Sequence, residues 1–418
     1  MISRWLSGAL CAAMILFAGS MPARADEKPI TIGFGMALTG GLAPNGKSAL
    51  LAMQIWEEEV NAKGGLLGRP VKLVFYDDQS NPSNVPGIYT KLLDVDKVDL
   101  VVSGYATNMV APAMPVIMQH KRTFLALLGL GVNSEFNYPN YFSFTPTGGP
   151  HPKQSFGQGF FEVAKGLNPK PKTIAIVGAD AEFARNALEG VHEIIKDTTD
   201  LKIVYDKTYP PATTDYTPIV RAIAATNPDL IFVASYPPDS VGIIRAAHEV
   251  GLKAQLFGGG MVGLQSTAIK VQLGPLLNGI VDYDFWLPVG SFATPEALDF
   301  LKRYQAKAKD AGVDALGYYL PPFAYSYMQV LQQTVEAIKG TDQAKMADYL
   351  RKTTFNTIAG PVKFGPGGEW VEARVLEVQF HDVKPNDVAQ FADPKTEVIL
   401  WPPSLKSGDA IVPYEAKK

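Results

Sequence analysis

Residues Pro29 to Asp78 read PITIGFGMALTGGLAPNGKSALLAMQIWEEEVNAKGGLLGRPVKLVFYDD, and this stretch decides the fold. Ile30, Ile32 and Phe34 alternate as in a strand, which Gly40-Gly41 break. From Ser48 to Val60, apolar Ala49, Met53, Trp56 and Val60 recur at helical spacing. Gly64-Gly65 stop the helix, Gly68-Arg69-Pro70 turn the chain, and Val71 to Tyr76 form a second strand. A strand, helix and strand of this size cross over right-handed into a parallel sheet.

The pattern then repeats. Strands at Leu100–Val102, Thr123–Leu128 and Tyr141–Phe144 extend the sheet, with helices at Val85–Leu93 and Met109–Gln119 between them. Pro146 to Pro152 is rich in Pro and Gly and marks a first crossing between domains. A second α/β series follows, with strands at Thr173–Val177, Ile203–Tyr205, Leu230–Ala234 and Leu256–Phe257. Its helices are Ala184–Ile195, Pro218–Ala225 and Val241–Val250. Gly279–Leu287 and Glu372–Phe380 read as further crossing strands, separated by helices at Pro295–Ala311, Phe323–Lys339 and Ala344–Thr353. The tail beyond Asp382 carries turn signals and little periodicity.

A chain of 418 residues exceeds one comfortable core, so two α/β domains with parallel sheets are expected. Its 47 % hydrophobic and 19 % charged composition is that of a soluble globular protein. A formal charge of -3 argues against a nucleic-acid partner held through phosphates. Residues 1–25 read as a signal peptide: Arg4 gives the positive start, Leu6 to Ala18 the apolar run, and Ala23-Arg24-Ala25 the cleavage site. That run is too short to span a membrane. Cleavage after Ala25 removes Arg4 and Arg24, taking the charge from -3 to -5. It also removes Cys11, the only cysteine, so a mature periplasmic chain has no disulfide, redox motif or thiolate metal site.

Enzyme signatures find no support. Gly33-x-Gly35 suggests a dinucleotide turn, but Leu38 stands where the third glycine belongs, and no acid follows at the ribose distance. The five histidines are scattered, with no metal spacing, and no nucleophile-elbow, zincin or phosphate-loop sequence occurs. No cofactor, metal or catalytic group is expected. Asp77-Asp78 read as capping acids and Glu57-Glu58-Glu59 as a solvated helix face. The informative positions follow the strands, because open parallel sheets gather ligands outside their carboxyl ends. In the first domain these are Tyr105-Ala106-Thr107 and Gly129-Leu130-Gly131. In the second they are Ala181-Glu182-Phe183, Ser235-Tyr236 and Gly260-Met261, with His151 in the first crossing loop. Small, hydroxylic and aromatic side chains there suit an apolar pocket with a few polar anchors.

Three stretches carry a resemblance: the opening unit through NAKGGLLGRPV at Asn61–Val71, AAHEVGLKAQLFGGG at Ala246–Gly260, and TIAGPVKFGPGGE at Thr357–Glu369. With them the mature chain resembles the type I periplasmic solute-binding proteins of ABC importers, of the branched-chain amino-acid (Leu/Ile/Val) receptor family. The resemblance implies two Rossmann-like lobes joined by three crossing strands, with a solute between them. The first lobe would be 26–147 with 281–375, and the second 148–280 with 376–418. It further implies a monomer that closes about its hinge and is recognised by a membrane permease. Carried onto this sequence, the family's solute contacts fall on Asn45, Tyr105 to Thr107, Gly131-Val132, Phe183 and Tyr236. The glutamate with which the family grips an α-ammonium falls on Gly260. A buried ammonium without its acid costs about 3–5 kcal/mol. The expected solute is therefore a small carboxylate lacking a free ammonium, aromatic or aliphatic, in a pocket walled by Tyr105, Phe183, Tyr236, Met261 and Phe323. Asp239 and Glu182 are the nearest acids that could replace the missing one. Branched-chain amino-acid binding in the strict sense and an exported ligand sensor feeding a signalling receptor stand as alternatives.

Overall fold

The computed structural model describes residues 28–198 and 200–416, so the leader with Cys11 and its cleavage site lie outside the described residues. The first sheet runs in the order β2-β1-β3-β4-β5 and is parallel throughout. Its strands are β1 Ile30–Met36, β2 Val71–Asp77, β3 Leu100–Tyr105, β4 Phe124–Leu127 and β5 Tyr141–Phe144. β3, β4 and β5 are buried along their whole length, because helices cover both faces and leave no solvent side to alternate toward.

The helices of this lobe come from two parts of the chain: α1 Ala43–Ala62, α2 Val85–Thr90, α3 Thr107–Val110, α4 Met114–Gln119 and α5 Asn133–Phe136, then α11 Pro295–Ala311, α12 Pro321–Ile338 and α13 Gln343–Lys352. α12 lies along α1, where the Trp56 indole donates to Gln332 (3.0 Å) and the Tyr327 hydroxyl to the Ser103 carbonyl (3.2 Å). The acids of α1 are paired, with Glu58 exposed as expected and Glu57 and Glu59 half-buried. Glu57 accepts from the Leu73 N–H, Glu58 meets Lys307, and Glu59 accepts from the Tyr325 hydroxyl. Asp77 and Asp78 do cap, accepting backbone N–H groups from Leu38, Thr39, Gln79 and Ser80.

The second sheet has seven strands in the order β15-β14-β11-β10-β8-β6-β7. They are β6 Thr173–Ala179, β7 Lys202–Tyr209, β8 Leu230–Ser235, β10 Leu256–Met261, β11 Val281–Asp284, β14 Leu376–Phe380 and β15 Glu397–Trp401. The first five in chain order are parallel, and β14 and β15 add an antiparallel edge. Around them pack α6 Pro152–Lys165, α7 Glu182–Thr198, α8 Thr217–Ala225, α9 Pro237–Val250 and α10 Thr267–Leu273. Two short pairs complete the fold, β9 Lys253–Ala254 with β16 Tyr414–Glu415 and β12 Thr354–Thr357 with β13 Gly360–Lys363.

β11 belongs wholly to this second sheet, so the first lobe resumes after Asp284 rather than at 281. β14 likewise pairs inside the second sheet, and the crossing itself is the segment before it. Two crossings run side by side: Gly149 donates to the Trp370 carbonyl (2.9 Å) and Arg374 to the Pro146 carbonyl (2.7 Å).

The second lobe buries several charges. Lys270 on α10 donates to both carboxylate oxygens of Glu397 on β15 (2.8 and 3.0 Å), beneath the rings of Phe380 and Phe391. Glu377, the second residue of β14, has neither carboxylate oxygen hydrogen-bonded and packs against Gly159 of α6.

Candidate functional site

Both sheets share the strand order in which the first strand lies between the second and third. The chain therefore leaves neighbouring strands in opposite directions, opening a crevice at their carboxyl ends. In the first lobe that point is between β1 and β3, and in the second between β6 and β8. The two crevices face each other. Close approach at the first one requires glycine, since a Cβ on Gly104 would lie 2.0 Å from the Gly35 carbonyl oxygen.

Between them lies a pocket. The first lobe contributes Leu42, Tyr105, Ala106, Thr107, Leu128, Leu130 and Thr145. Phe156, Phe183, Tyr236, Val262 and Tyr283 come from the second, Phe285 from the connecting segment and Tyr319 from the first lobe's turn between α11 and α12. None of these side chains carries a charge. Ala106 adopts φ +88°, a conformation costing an L-residue about 1–3 kcal/mol, and so turns the chain from β3 straight into α3. The Thr107 hydroxyl accepts the Leu130 N–H (3.0 Å), which leaves its own proton to donate into the pocket. The first N–H groups of the helix begun at Thr107 have no partner inside it. Asn45 donates to the Tyr105 hydroxyl (3.2 Å), and the hydroxyls of Tyr283 and Tyr319 are 3.1 Å apart. Burial raises the Tyr105 phenol to about 12 and pushes those of Tyr236, Tyr283 and Tyr319 above their ordinary value. All four are neutral donors at physiological pH.

The lobes are closed on each other. Asn108 of the first lobe accepts from the Tyr236 hydroxyl (2.7 Å) and the Phe183 N–H (3.3 Å) of the second. Asn186 of α7 donates back to the Leu130 carbonyl (2.9 Å). Free space at the pocket's centre is about 30 Å³, far below the roughly 300–1,000 Å³ of a small-molecule cleft.

Of the residues expected from sequence, Tyr105, Ala106, Thr107, Leu130, Phe183 and Tyr236 meet in this pocket. Asn45 stands one layer out, behind Tyr105. Gly129 is turned away, its carbonyl accepting from Ser143 (3.4 Å) while Leu128 and Leu130 on either side face inward. Gly260 and Met261 are not in the pocket. The strand they were expected to follow continues through them, pairing Gly260 with Ala234 and Met261 with Ser235, and Val262 is the first residue to reach the site. A Cβ on Gly260 would stand 3.0 Å from the Val233 carbonyl oxygen and touch the rings of Phe156 (3.4 Å) and Phe232 (3.5 Å). Phe323 is buried behind the wall against Phe144, Phe285 and Trp370. His151 caps α6 with its side chain exposed.

Neither candidate acid reaches the pocket. Asp239 is held by the Tyr209 hydroxyl (2.7 Å) and the Tyr236 N–H (3.0 Å) at the start of α9. Glu182 lies outside the lining, and burial with the nearby Glu135 charge raises its carboxyl to about 7. Phe156, Tyr283, Phe285 and Tyr319 escaped the sequence reading because they lie on a helix, a strand, a crossing segment and the turn between α11 and α12 rather than in loops after parallel strands. The one available signal was the aromatic alternation of Tyr283 and Phe285.

A sequence model of the periplasmic binding protein family matches residues 29–374. The Leu/Ile/Val-binding protein homolog 8 of Brucella suis biovar 1 (strain 1330) is 26 % identical over 393 residues, spanning 92 % of this chain and 95 % of that one. The branched-chain amino-acid transporter substrate-binding protein LivJ of Streptococcus pneumoniae, solved with isoleucine, matches with a TM-score of 0.70 at 20 % identity. That match covers 86 % of this chain and 98 % of the other. A solute-binding protein of an ABC transporter from Rhodopseudomonas palustris HaA2, solved with p-hydroxybenzoic acid, matches with a TM-score of 0.72 at 18 % identity. It covers 94 % of this chain and 98 % of that one. These two structures share the fold and carry different solutes. With two lobes closing on one pocket and a family match over most of its length, the chain belongs to the type I periplasmic binding proteins, the solute-binding family that includes the Leu/Ile/Val receptors of ABC importers.

Proposed function

We propose that this solute-binding protein takes a small apolar carboxylate without a free ammonium, aromatic or aliphatic, and presents it to the membrane permease of an ABC importer. The observation that carries this reading is the uncharged pocket wall, with Thr107 and tyrosine hydroxyls as its donors. A carboxylate is satisfied by neutral donors aimed at it. An α-ammonium would find no acid among the side chains lining this pocket. The isoleucine-bound and hydroxybenzoate-bound neighbours share the fold equally, so the choice rests on the pocket.

In the mechanism we favour, the solute lands on the first lobe in the open state, its carboxylate on Thr107. Rotation about the crossing segments brings Phe183, Tyr236 and Phe156 over its apolar body and expels water. The Asn108 contacts with Tyr236 and Phe183 then latch the lobes. The closed shape is what the permease would recognise.

A thermal-shift screen of the chain from Asp26 onward tests the reading. Saturation at a hundredfold excess over Kd stabilises by about 2.7 kcal/mol. Benzoate- and cinnamate-like acids should raise the melting temperature while leucine and valine leave it unchanged, and Thr107→Val should weaken the responding acid about tenfold. A strong leucine shift would overturn the reading. Asn108→Ala should speed solute release about tenfold with association within twofold, since losing its two half-buried hydrogen bonds, together about 1.4 kcal/mol, acts on dissociation. Stopped-flow fluorescence resolves the two rates, and an unchanged release rate would remove Asn108 from the latch.

A further inference from the structure

The lobes also meet away from the solute pocket. Asp314 belongs to the first lobe, in the turn between α11 and α12, and Thr267 is the first residue of α10 in the second. One Asp314 carboxylate oxygen accepts the Thr267 N–H (2.6 Å) and the other accepts its hydroxyl proton (2.9 Å). Neither residue lines the solute pocket.

The carboxylate is aimed by its own lobe. The N–H groups of Leu316 (3.1 Å) and Gly317 (2.9 Å) donate to the oxygen that also takes the Thr267 hydroxyl. The Asp314 N–H in turn donates to the Ser48 hydroxyl of α1 (3.3 Å). On the other side, α10 is anchored to the second sheet through Lys270 and Glu397. Ser266 stands at the N-cap of α10, yet its side chain makes no capping bond. The opposite lobe therefore supplies the cap that the helix lacks at home. The Asn108 and Asn186 bonds across the cleft join neutral groups, whereas hydrogen bonds to a carboxylate are roughly twice as strong.

We propose that Asp314 is an interlobe clasp, which caps α10 across the cleft and holds the lobes shut without help from a solute. It sets the balance between open and closed forms, and so positions the pocket walls rather than touching the solute. The inference concerns closure alone and stands whichever solute the pocket takes.

Thr267→Pro cuts the clasp from the second lobe. Proline lacks both donors, is tolerated at the first position of a helix, and needs an extended residue before it, which Ser266 is (φ -95°, ψ 120°). Asp314→Asn cuts the clasp from the first lobe and keeps the size of the side chain. Thr267→Ser keeps both donors and serves as the rescue. The chain from Asp26 onward contains no cysteine, so Ala306→Cys on α11 and Arg245→Cys on α9, both exposed, put one spin label on each lobe. Electron–electron double resonance of this chain without added solute should show a short interlobe distance in the parent and in Thr267→Ser. The ratio of long to short distances should rise at least about tenfold in Thr267→Pro and in Asp314→Asn, because bonds to a charged acceptor are lost. Circular dichroism matching the parent's checks that each variant is folded, and either cut variant alone decides the question. A parent showing only the long distance, or a folded cut variant with the parent's distribution, would overturn the clasp and leave the solute reading standing.

Discussion

Lys270→Met should lower the free energy of unfolding by about 3–5 kcal/mol, the usual result of leaving one member of a buried ion pair behind. Lys270 and Glu397 are 4 % and 3 % exposed, so both are shielded from bulk solvent. Burial alone would push the Lys270 ammonium down, and the Glu397 carboxylate at 2.8 Å overrides it. Without the lysine, Glu397 stays in an apolar setting beside Asp284, whose carboxyl is already raised by burial and by Glu397 itself. The double variant Lys270→Met with Glu397→Leu should recover most of the loss, because an apolar pair of similar volume has no charge to desolvate. Urea unfolding of the three proteins makes the comparison. A single variant within 1 kcal/mol of the parent, or a double variant no better than the single, would show that the pair contributes little.

The second large effect is on pH. Glu377 has a carboxyl held well above its usual range by burial, with a smaller contribution from Asp282. Asp282 is raised by the same burial, and burial takes Glu369 to about 8. An acid raised in the folded state stays protonated there while the unfolded chain releases its proton. Its stability is fully present below the unfolded value and is lost as pH rises toward the folded one. Each such group contributes a slope of about 1.4 kcal/mol per pH unit across that window. Asp77 and Asp229 act in the opposite sense: backbone and hydroxyl hydrogen bonds outweigh their burial and lower both, so their contribution is lost only as pH falls below the ordinary carboxylate range. Stability should therefore peak in mild acid and decline through neutrality. Glu377→Gln keeps the shape and removes the titration, so it should match the parent near pH 5 and exceed it increasingly toward pH 8. Equal slopes for the two proteins would place the pH dependence elsewhere.

Much of this architecture is legible in the chain because strong periodicity survives folding. The opening βαβ unit, the repeat of its pattern and the loops after β3, β4, β6 and β8 all follow from apolar spacing and glycine punctuation. Tyr105, Thr107, Leu130, Phe183 and Tyr236 were found that way. Gly260 and Met261 were misplaced because three consecutive glycines read as a loop, whereas their register beside β8 keeps them in the strand. Phe156, Tyr283 and Tyr319 meet from separate elements of the two lobes, and no local pattern records that. β15 was missed for a similar reason. Glu397 breaks its apolar run, and only the distant Lys270 makes a carboxylate acceptable there.

The return of α12 to lie along α1 has a consequence for synthesis. The surface that receives Gln332 and Tyr327 is complete once β3 has emerged, yet its cover arrives only after the second lobe's parallel strands have been made; Trp56 waits 276 residues for its partner. At about 5–20 residues per second, that is roughly 15–55 s during which a nascent chain presents Met53 and Trp56 uncovered. The interval is long enough for a holding factor to bind that uncovered face, and it leaves the first lobe unfinished until α12 exists.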